Sequence, residues 1–215
     1  RETGEIRTAQ VFVAVLGASS YTYADATYTQ GLADWVASNQ RALRFFGGVP
    51  ELLIPDNLKA AVSKANRYTP QINPTYAEMA AHYQCAVLPA RPYKPKDKAK
   101  AEVAVLVVER WIMARLRHHT FFSLSELNRA IADLLPELNS RPFQGRKESR
   151  QSLFEAIDRP ALSPLPEQAY EYAQWHKAKP GIDYHVVLDK RLYSVPHSLV
   201  GQVLDLRVTG SLVEV

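Results

Sequence analysis

The period of the apolar positions changes several times along the chain. Gln10 to Leu16 (QVFVAVL) is a run of β-branched and aromatic residues that predicts a buried strand. Residues 1–8 are expected to supply its hairpin partner, turning near Thr3-Gly4. From Thr29 to Phe46 the spacing is helical: Leu32, Trp35, Val36, Leu43 and Phe46 fall near one face, and Gly47-Gly48 stops the helix. Glu51 to Ile54 reads as a short buried strand, after which Asp56-Asn57 turns the chain. Beyond a loop with Pro70 and Pro74, the pattern predicts a helix around Tyr76 to Tyr83 and a strand from Cys85 to Leu88. Lys100 to His118 predicts a long, strongly apolar helix. Ser123 and Glu126 have capping-box spacing and open another helix that runs to about Asn139.

Residues 1–140 thus alternate strands and helices in an order that argues for a three-layer α/β domain. Residues 141–168 are polar and proline-rich and read as a linker around one short helical piece, Ser152 to Ile157. Over residues 169–215 the pattern predicts short strands at His185 to Leu188, Arg191 to Val195, Val203 to Val208 and Leu212 to Val215. Turns at Asp189-Lys190 and Gly210-Ser211 separate them, as in a small β-barrel domain. Polar residues lead straight into a strand at the start, and the chain stops in mid-strand at Val215. It is therefore expected to be a piece of something longer, truncated at both ends.

Composition adds one point. The 215 residues carry a net charge of only +4, but Arg91 to Thr120 holds 8 Lys/Arg against 3 Asp/Glu, so the whole excess lies there. Such clustering points to a polyanionic partner or, read blandly, to a solvated helix face. The single cysteine, Cys85, fits a packed thiol in a reducing, cytoplasmic setting, and no apolar run is long enough for a membrane span. Trp35, Trp111 and Trp175 read as core residues from their apolar neighbours.

Two carboxylates stand out. Asp56 follows a predicted strand and Glu102 opens the long helix, with 45 residues between them. Divalent metals held by carboxylates can align an attacking oxygen with a phosphodiester and neutralise the charge that builds during displacement. Lys94, Lys96, Lys98 and Lys100 lead into Glu102, and Arg110, Arg115 and Arg117 continue the stripe, which suits the phosphates of bound DNA. Taken singly, Asp56 is as readily a turn or N-cap residue, Glu102 a carboxylate favoured by the helix dipole, and the lysines a solubilising loop. The histidines lack ligand-like spacing, and no GxxxxGK[ST] phosphate loop is present.

The segments LLIPDNLKAAV, INPTYAEMAAHY, VLPARPYKPKDKAKAEVAV and YSVPHSLVGQVLDLRV resemble the IstA-type insertion-sequence transposases, bacterial members of the DDE transposase/retroviral integrase superfamily. The resemblance runs over essentially the whole chain. It implies an RNase H-like catalytic core and a site of two aspartates and a glutamate that binds two Mg²⁺ ions (or Mn²⁺). By motif, the second aspartate falls on Asp56, with Asn57 beside it, and the glutamate falls on Glu102. The first belongs to a strand upstream of residue 1. Asp25, placed beyond the second long strand, does not match it, so the core is expected to be truncated at its first strand and inactive alone. The family's N-terminal helix-turn-helix is not matched either. The resemblance also implies transposon-end and target DNA, a homo-oligomer on paired ends, an AAA+ ATPase of the IstB type, and DNA contacts by the C-terminal module through Lys190, Arg191 and Arg207. A nuclease of the same fold, or a non-catalytic DNA-binding or assembly module, are the rival readings.

Overall fold

In the computed structural model, which describes residues 6–55, 62–64, 71–88 and 99–215, the predicted first strand forms as β1 (Gln10–Val15). Its partner lies downstream. β2 (Thr22–Thr27) runs antiparallel to it, with Gln10 opposite Thr27 and Val15 opposite Thr22. Of the expected partner, residues 1–5 lie outside the described residues and 6–8 form no strand. The sequence TYADAT hides β2 because it lacks an apolar alternation, yet all six residues are buried.

Burying so polar a strand requires partners for each group. Asn139 Oδ1 accepts the Thr22 N–H at 2.9 Å, and Asn139 Nδ2 donates to the Thr22 carbonyl at 2.8 Å. Asn128 repeats the pattern at Ala26, at 2.6 and 2.9 Å. A carboxamide presents donor and acceptor side by side, as a peptide does. Two side chains of one helix, Leu124–Ser140, therefore pair the backbone of β2 as a further strand would. Asp25, inside β2 and not beyond it, accepts Arg41 Nε at 2.5 Å and Ser38 Oγ at 3.3 Å. Burial first, and the Asp25 carboxylate second, push the neighbouring Tyr23 phenol above its ordinary range.

The first helix, α1 (Leu32–Phe46), ends as predicted. Gly47 takes φ +71°, its N–H donates to the Arg44 carbonyl, and the Gly48 N–H donates to the Leu43 carbonyl, a Schellman motif. Open space surrounds the Cα of Gly47, whereas a Cβ on Gly48 would lie 2.7 Å from Leu162 Cβ and 2.8 Å from the Ser163 carbonyl oxygen. Gly47→Ala should therefore cost about 1 kcal/mol through φ strain alone. Gly48→Ala should cost about 2 kcal/mol, because backbone must move. Urea unfolding of the two variants checks the order.

β3 (Leu52–Leu53) pairs in parallel with β6 (Ala86–Val87). The strand expected at Glu51 to Ile54 is not buried among the described residues: Leu52 is 41% and Ile54 50% exposed. β4 (Val62–Lys64) and β5 (Gln71–Ile72) form an antiparallel pair where only a turn and loop are expected. α2 (Pro74–His82) starts at Asn73, whose side chain accepts the Thr75 N–H at 3.0 Å. It buries Tyr76 and Met79, and Cys85 is buried just beyond its end, its thiol pushed up by burial.

The long apolar helix, α3, runs on through three pieces: Ala99–Val108, a π turn Glu109–Met113 and a last turn Ala114–Leu116. Ser123 caps α4 (Leu124–Ser140) by accepting the Glu126 N–H at 3.1 Å. Glu126 reaches back to the Phe122 N–H at 2.9 Å, one residue earlier than the predicted capping box requires. Val108 and Ile112 of α3 share a core with Ile131, Leu135 and Leu138 of α4, Ala24 and Ala26 of β2, and Phe46. The stretch expected as a linker folds onto this same unit. α5, built from Arg150–Leu153, Phe154–Asp158 and Arg159–Ala161, buries Phe154 against Tyr21, with ring centroids 4.3 Å apart. Asp158 accepts the Ser19 N–H at 2.8 Å, and Ser163 bridges to Val49. The compact unit so formed is Arg1–Ala169.

The second unit is Tyr170–Val215. β10 (Leu204–Val208) lies between β7 (Gln174–Ala178) and β11 (Val213–Glu214) in an antiparallel sheet. β8 (His185–Leu188) and β9 (Arg191–Ser194) form a separate hairpin, whose turn residues Asp189 and Lys190 both have positive φ. Val186, Val195 and Leu206 form its small core. The expected barrel is not found: among the described residues no ladder joins the hairpin to the three-stranded sheet, so no sheet closes. β7 is missed by the sequence reading because QWHKA is exposed at four of five positions, and Trp175, expected in the core, is 40% exposed. Among the described residues no helix is long and apolar enough to cross a membrane.

Candidate functional site

The site is built from the start of α3. Ala104, Val108 and Ile112 recur every four residues and are buried, which turns Glu102, Leu106, Glu109 and Arg110 outward. Glu102 is exposed in the first turn, where the helix dipole favours a carboxylate. Lys100 donates its Nζ to the carbonyl of Gly17, in the turn that follows β1. This contact ties the head of α3 to that end of the β1–β2 hairpin. The lysine nearest the candidate acid is thereby engaged elsewhere, and among the described residues Glu102 has no cationic partner.

Asp56, Asn57, Lys94, Lys96 and Lys98 lie outside the described residues; β3 ends shortly before Asp56. Among the described residues, no group of three or more metal-ligating side chains is assembled. The hairpin's own carboxylate, Asp25, has a side chain only 6% exposed and is engaged by Arg41.

The basic stripe divides. Arg110 and Arg117 are exposed, and Arg117 Nε donates to His118 Nε2 at 2.9 Å. Arg115 is instead held by the fold, with its two terminal nitrogens 2.5 and 2.6 Å from the Glu137 carboxylate oxygens. The hydrogen bonds from Arg115, with its charge, hold the Glu137 carboxyl below the usual range. In the second unit, Arg207 donates to Glu214 at 2.7 Å.

A second basic cluster falls in the stretch that the sequence predicts as a linker around one short helical piece. Trp111, expected in the core, is half-buried and carries the Arg141 guanidinium over its ring at 3.6 Å, with Arg115 at 5.1 Å. Arg150 lies over Phe143 at 4.9 Å. The sequence signal for it was the spacing RPFQGRKESR, with basic residues well in excess of acids around a turn.

Comparison with known proteins places this architecture. Residues 165–215 match the family model described as Mu transposase, C-terminal domain. A Sinorhizobium fredii protein named as a transposase is 53% identical over 213 residues, covering 99% of this chain and 41% of that protein. A Burkholderia multivorans protein named as a transposase for insertion sequence IS408 is also 53% identical, over 96% of this chain and 40% of that protein. The transposase of insertion sequence element IS21 from Pseudomonas aeruginosa is 29% identical over 79% of this chain and 43% of its own length. The chain thus spans about two fifths of the length of these curated relatives. Among solved structures, the catalytic core domain of BIV integrase matches 71% of this chain and 89% of its own, with TM-score 0.53 and 14% identity. A chain of the simian T-cell lymphotropic virus intasome, solved in complex with PP2A regulatory subunit B56 gamma, matches 97% of this chain and 72% of its own, with TM-score 0.57 and 14% identity. The fold of the first unit is therefore that of the RNase H-like integrase cores, and nearly the whole chain is similar to about two fifths of proteins named as transposases of bacterial insertion sequences.

Proposed function

We propose that the chain is the catalytic core and C-terminal module of a DDE-type DNA transposase that cuts transposon 3′ ends and joins them to target DNA. The observation that carries this reading is the position of Glu102. It is an exposed carboxylate, unpaired among the described residues, in the first turn of a helix anchored to the sheet, in a chain of transposase kinship.

The exposed Glu102 carboxylate, unpaired among the described residues, supports a divalent-metal reading. Mg²⁺ prefers hard oxygen ligands and keeps several waters, so few carboxylates suffice. Glu102 offers such an oxygen, and no described cation competes for it; Asp56 is the second ligand, and a further aspartate of the longer protein completes the set. When bound, the metal pair supplies charge neutralisation at the phosphodiester and activates water or a 3′-hydroxyl. The chain's own residues then position DNA: Lys94, Lys96 and Lys98 before the helix, and Arg110 and Arg117 along it, bind backbone phosphates without reading sequence. Two multimer partners follow from the same reading, a second copy on the paired end and an AAA+ ATPase of the IstB type.

The test is strand joining by the full-length protein with end-mimicking DNA and Mg²⁺, comparing wild type with Asp56→Asn and Glu102→Gln. Loss of joining with DNA binding retained is the expected result. Joining by both variants would make these two carboxylates structural. Hydrolysis without joining of pre-cut ends would make the protein a nuclease.

A further inference from the structure

The turn after α4 builds a basic cleft that neither the metal site nor the α3 stripe uses. Pro142 and Ser149 form an isolated antiparallel bridge, and the Phe143 N–H donates to the Glu148 carbonyl at 2.9 Å. The bridge brings the residues just outside it, Arg141 and Arg150, side by side. Between them and the π turn of α3 lies a cleft of about 180 Å³, lined by Trp111, Leu138, Arg141, Phe143 and Arg150. Small-molecule pockets run to about 300–1,000 Å³, so this one suits a single compact group and not a nucleotide.

Its charge is unbalanced. Among the described residues neither Arg141 nor Arg150 makes a direct ion pair: the Glu137 carboxylate, which feels the charge of Arg141, is engaged by Arg115 through two hydrogen bonds, and Arg150 Nη1 donates to the Leu138 carbonyl at 3.5 Å. Burial, and then the charge of Arg141, pull the Arg150 guanidinium below its usual value, as expected for two cations facing a cleft without an anion. Arg146 and Lys147 add two exposed cations on the same turn. Both lining guanidinia rest on aromatic faces, Arg141 on Trp111 and Arg150 on Phe143, which fixes their orientation before a ligand arrives. Planar donors held in place, with no acid lining the cleft, match the tetrahedral oxygens of a phosphate.

We propose that this cleft is a second DNA-backbone site, in which Arg141 and Arg150 clamp one phosphodiester while Arg146 and Lys147 reach neighbouring phosphates. The proposal rests on the transposase reading, since it takes DNA as the polyanion. The site gives affinity and register without sequence preference.

The experiment is a salt titration of duplex binding by the full-length protein, followed by fluorescence anisotropy on a random-sequence duplex, with thermal unfolding as the folding control. Each phosphate that the protein no longer neutralises should flatten the slope of log K against log[salt] by about 0.9. Arg141→Gln is expected to flatten it by about that amount and weaken all duplexes alike, while Arg141→Lys keeps most of the slope. Arg146→Gln combined with Lys147→Gln, both exposed and clear of the core, should flatten it by about twice as much, and decides the matter if Arg141→Gln fails to fold. Unchanged affinity and slope in these variants overturns the proposal. So does an effect confined to binding of a polyglutamate peptide, which would give the cleft to an acidic protein segment. Because Glu102→Gln is expected to retain DNA binding, the slopes can be measured in that background too. Loss of joining with unaltered slopes then sinks the cleft alone, and a wild type that binds no duplex sinks the proposed function with it.

Discussion

Glu102→Gln in the full-length protein should lower strand joining at least about a thousandfold, which corresponds to about 4 kcal/mol of transition-state stabilisation. The substitution is close to isosteric, and Glu102 has no side-chain partner among the described residues. The fold therefore loses at most the carboxylate's interaction with the helix dipole, about 0.3–1 kcal/mol. What it removes is a negative oxygen ligand, and a neutral amide is a poor substitute on a hard cation. Asp56→Asn should behave alike. The informative readout is the pair of measurements, joining of pre-cut ends and duplex affinity. Joining abolished with affinity kept puts Glu102 on the metal. Joining and affinity falling together would point to lost folding or assembly and not to a lost metal ligand, because a carboxylate repels the phosphates that Arg110 attracts. Joining that stays close to the wild-type rate would remove it from the site.

How far the sequence shows this depends on what holds each element. β1 and α1 are legible because their burial is apolar: the run QVFVAVL and the helical spacing through Phe46 are local signals, and Gly47 marks the stop that the backbone takes. β2 is not legible, because its burial is polar and is made tolerable by Asn128 and Asn139, which lie far along the chain. The same distance effect hides where α5 packs, though not the helical piece itself, which is predicted at Ser152 to Ile157. Proline and charge mark residues 141–168 as a linker, but Phe154 finds a stacking partner in Tyr21, and that pairing has no trace in either local pattern. In the second unit the hairpin turn at Asp189-Lys190 is written in the sequence, whereas closure of a sheet depends on how strands find one another. Of the candidate site, Glu102 could be read from its place at the head of a helix. The cleft around Trp111 could not, since an aromatic among apolar neighbours looks like core until the arginines that cover it are seen. The family resemblance supplied the pairing of Asp56 with Glu102; spacing alone left both as ordinary cap and turn residues.

Asn139→Ala should be strongly destabilising although it touches no candidate catalytic residue. Asn139 is 1% exposed and so is Thr22, whose N–H and carbonyl it satisfies. Truncation leaves both backbone groups buried and unpaired, at about 1–3 kcal/mol each, so a loss of about 3–4 kcal/mol is expected in urea unfolding. Asn128→Ala removes the same two bonds at Ala26, but Asn128 is half-buried and water can reach the vacated groups, so about 1 kcal/mol is expected there. Asn139→Asp separates hydrogen bonding from shape. When ionised, the new carboxyl keeps an acceptor for the Thr22 N–H but sets a buried charge against the Thr22 carbonyl. When protonated, it can accept and donate as the amide does. Burial raises its folded pKa above the unfolded value of about 3.9. The folded state then holds the proton more tightly, and stability falls as pH rises through the window above that unfolded value. Measured against wild type at each pH, Asn139→Asp should be strongly destabilised near neutral pH and recover as the pH is lowered toward the unfolded carboxyl's pKa, whereas Asn139→Ala should show no such recovery. Equal losses for the two variants across that range would mean that Asn139 acts through packing, and that β2 is not held by a side-chain substitute for a strand.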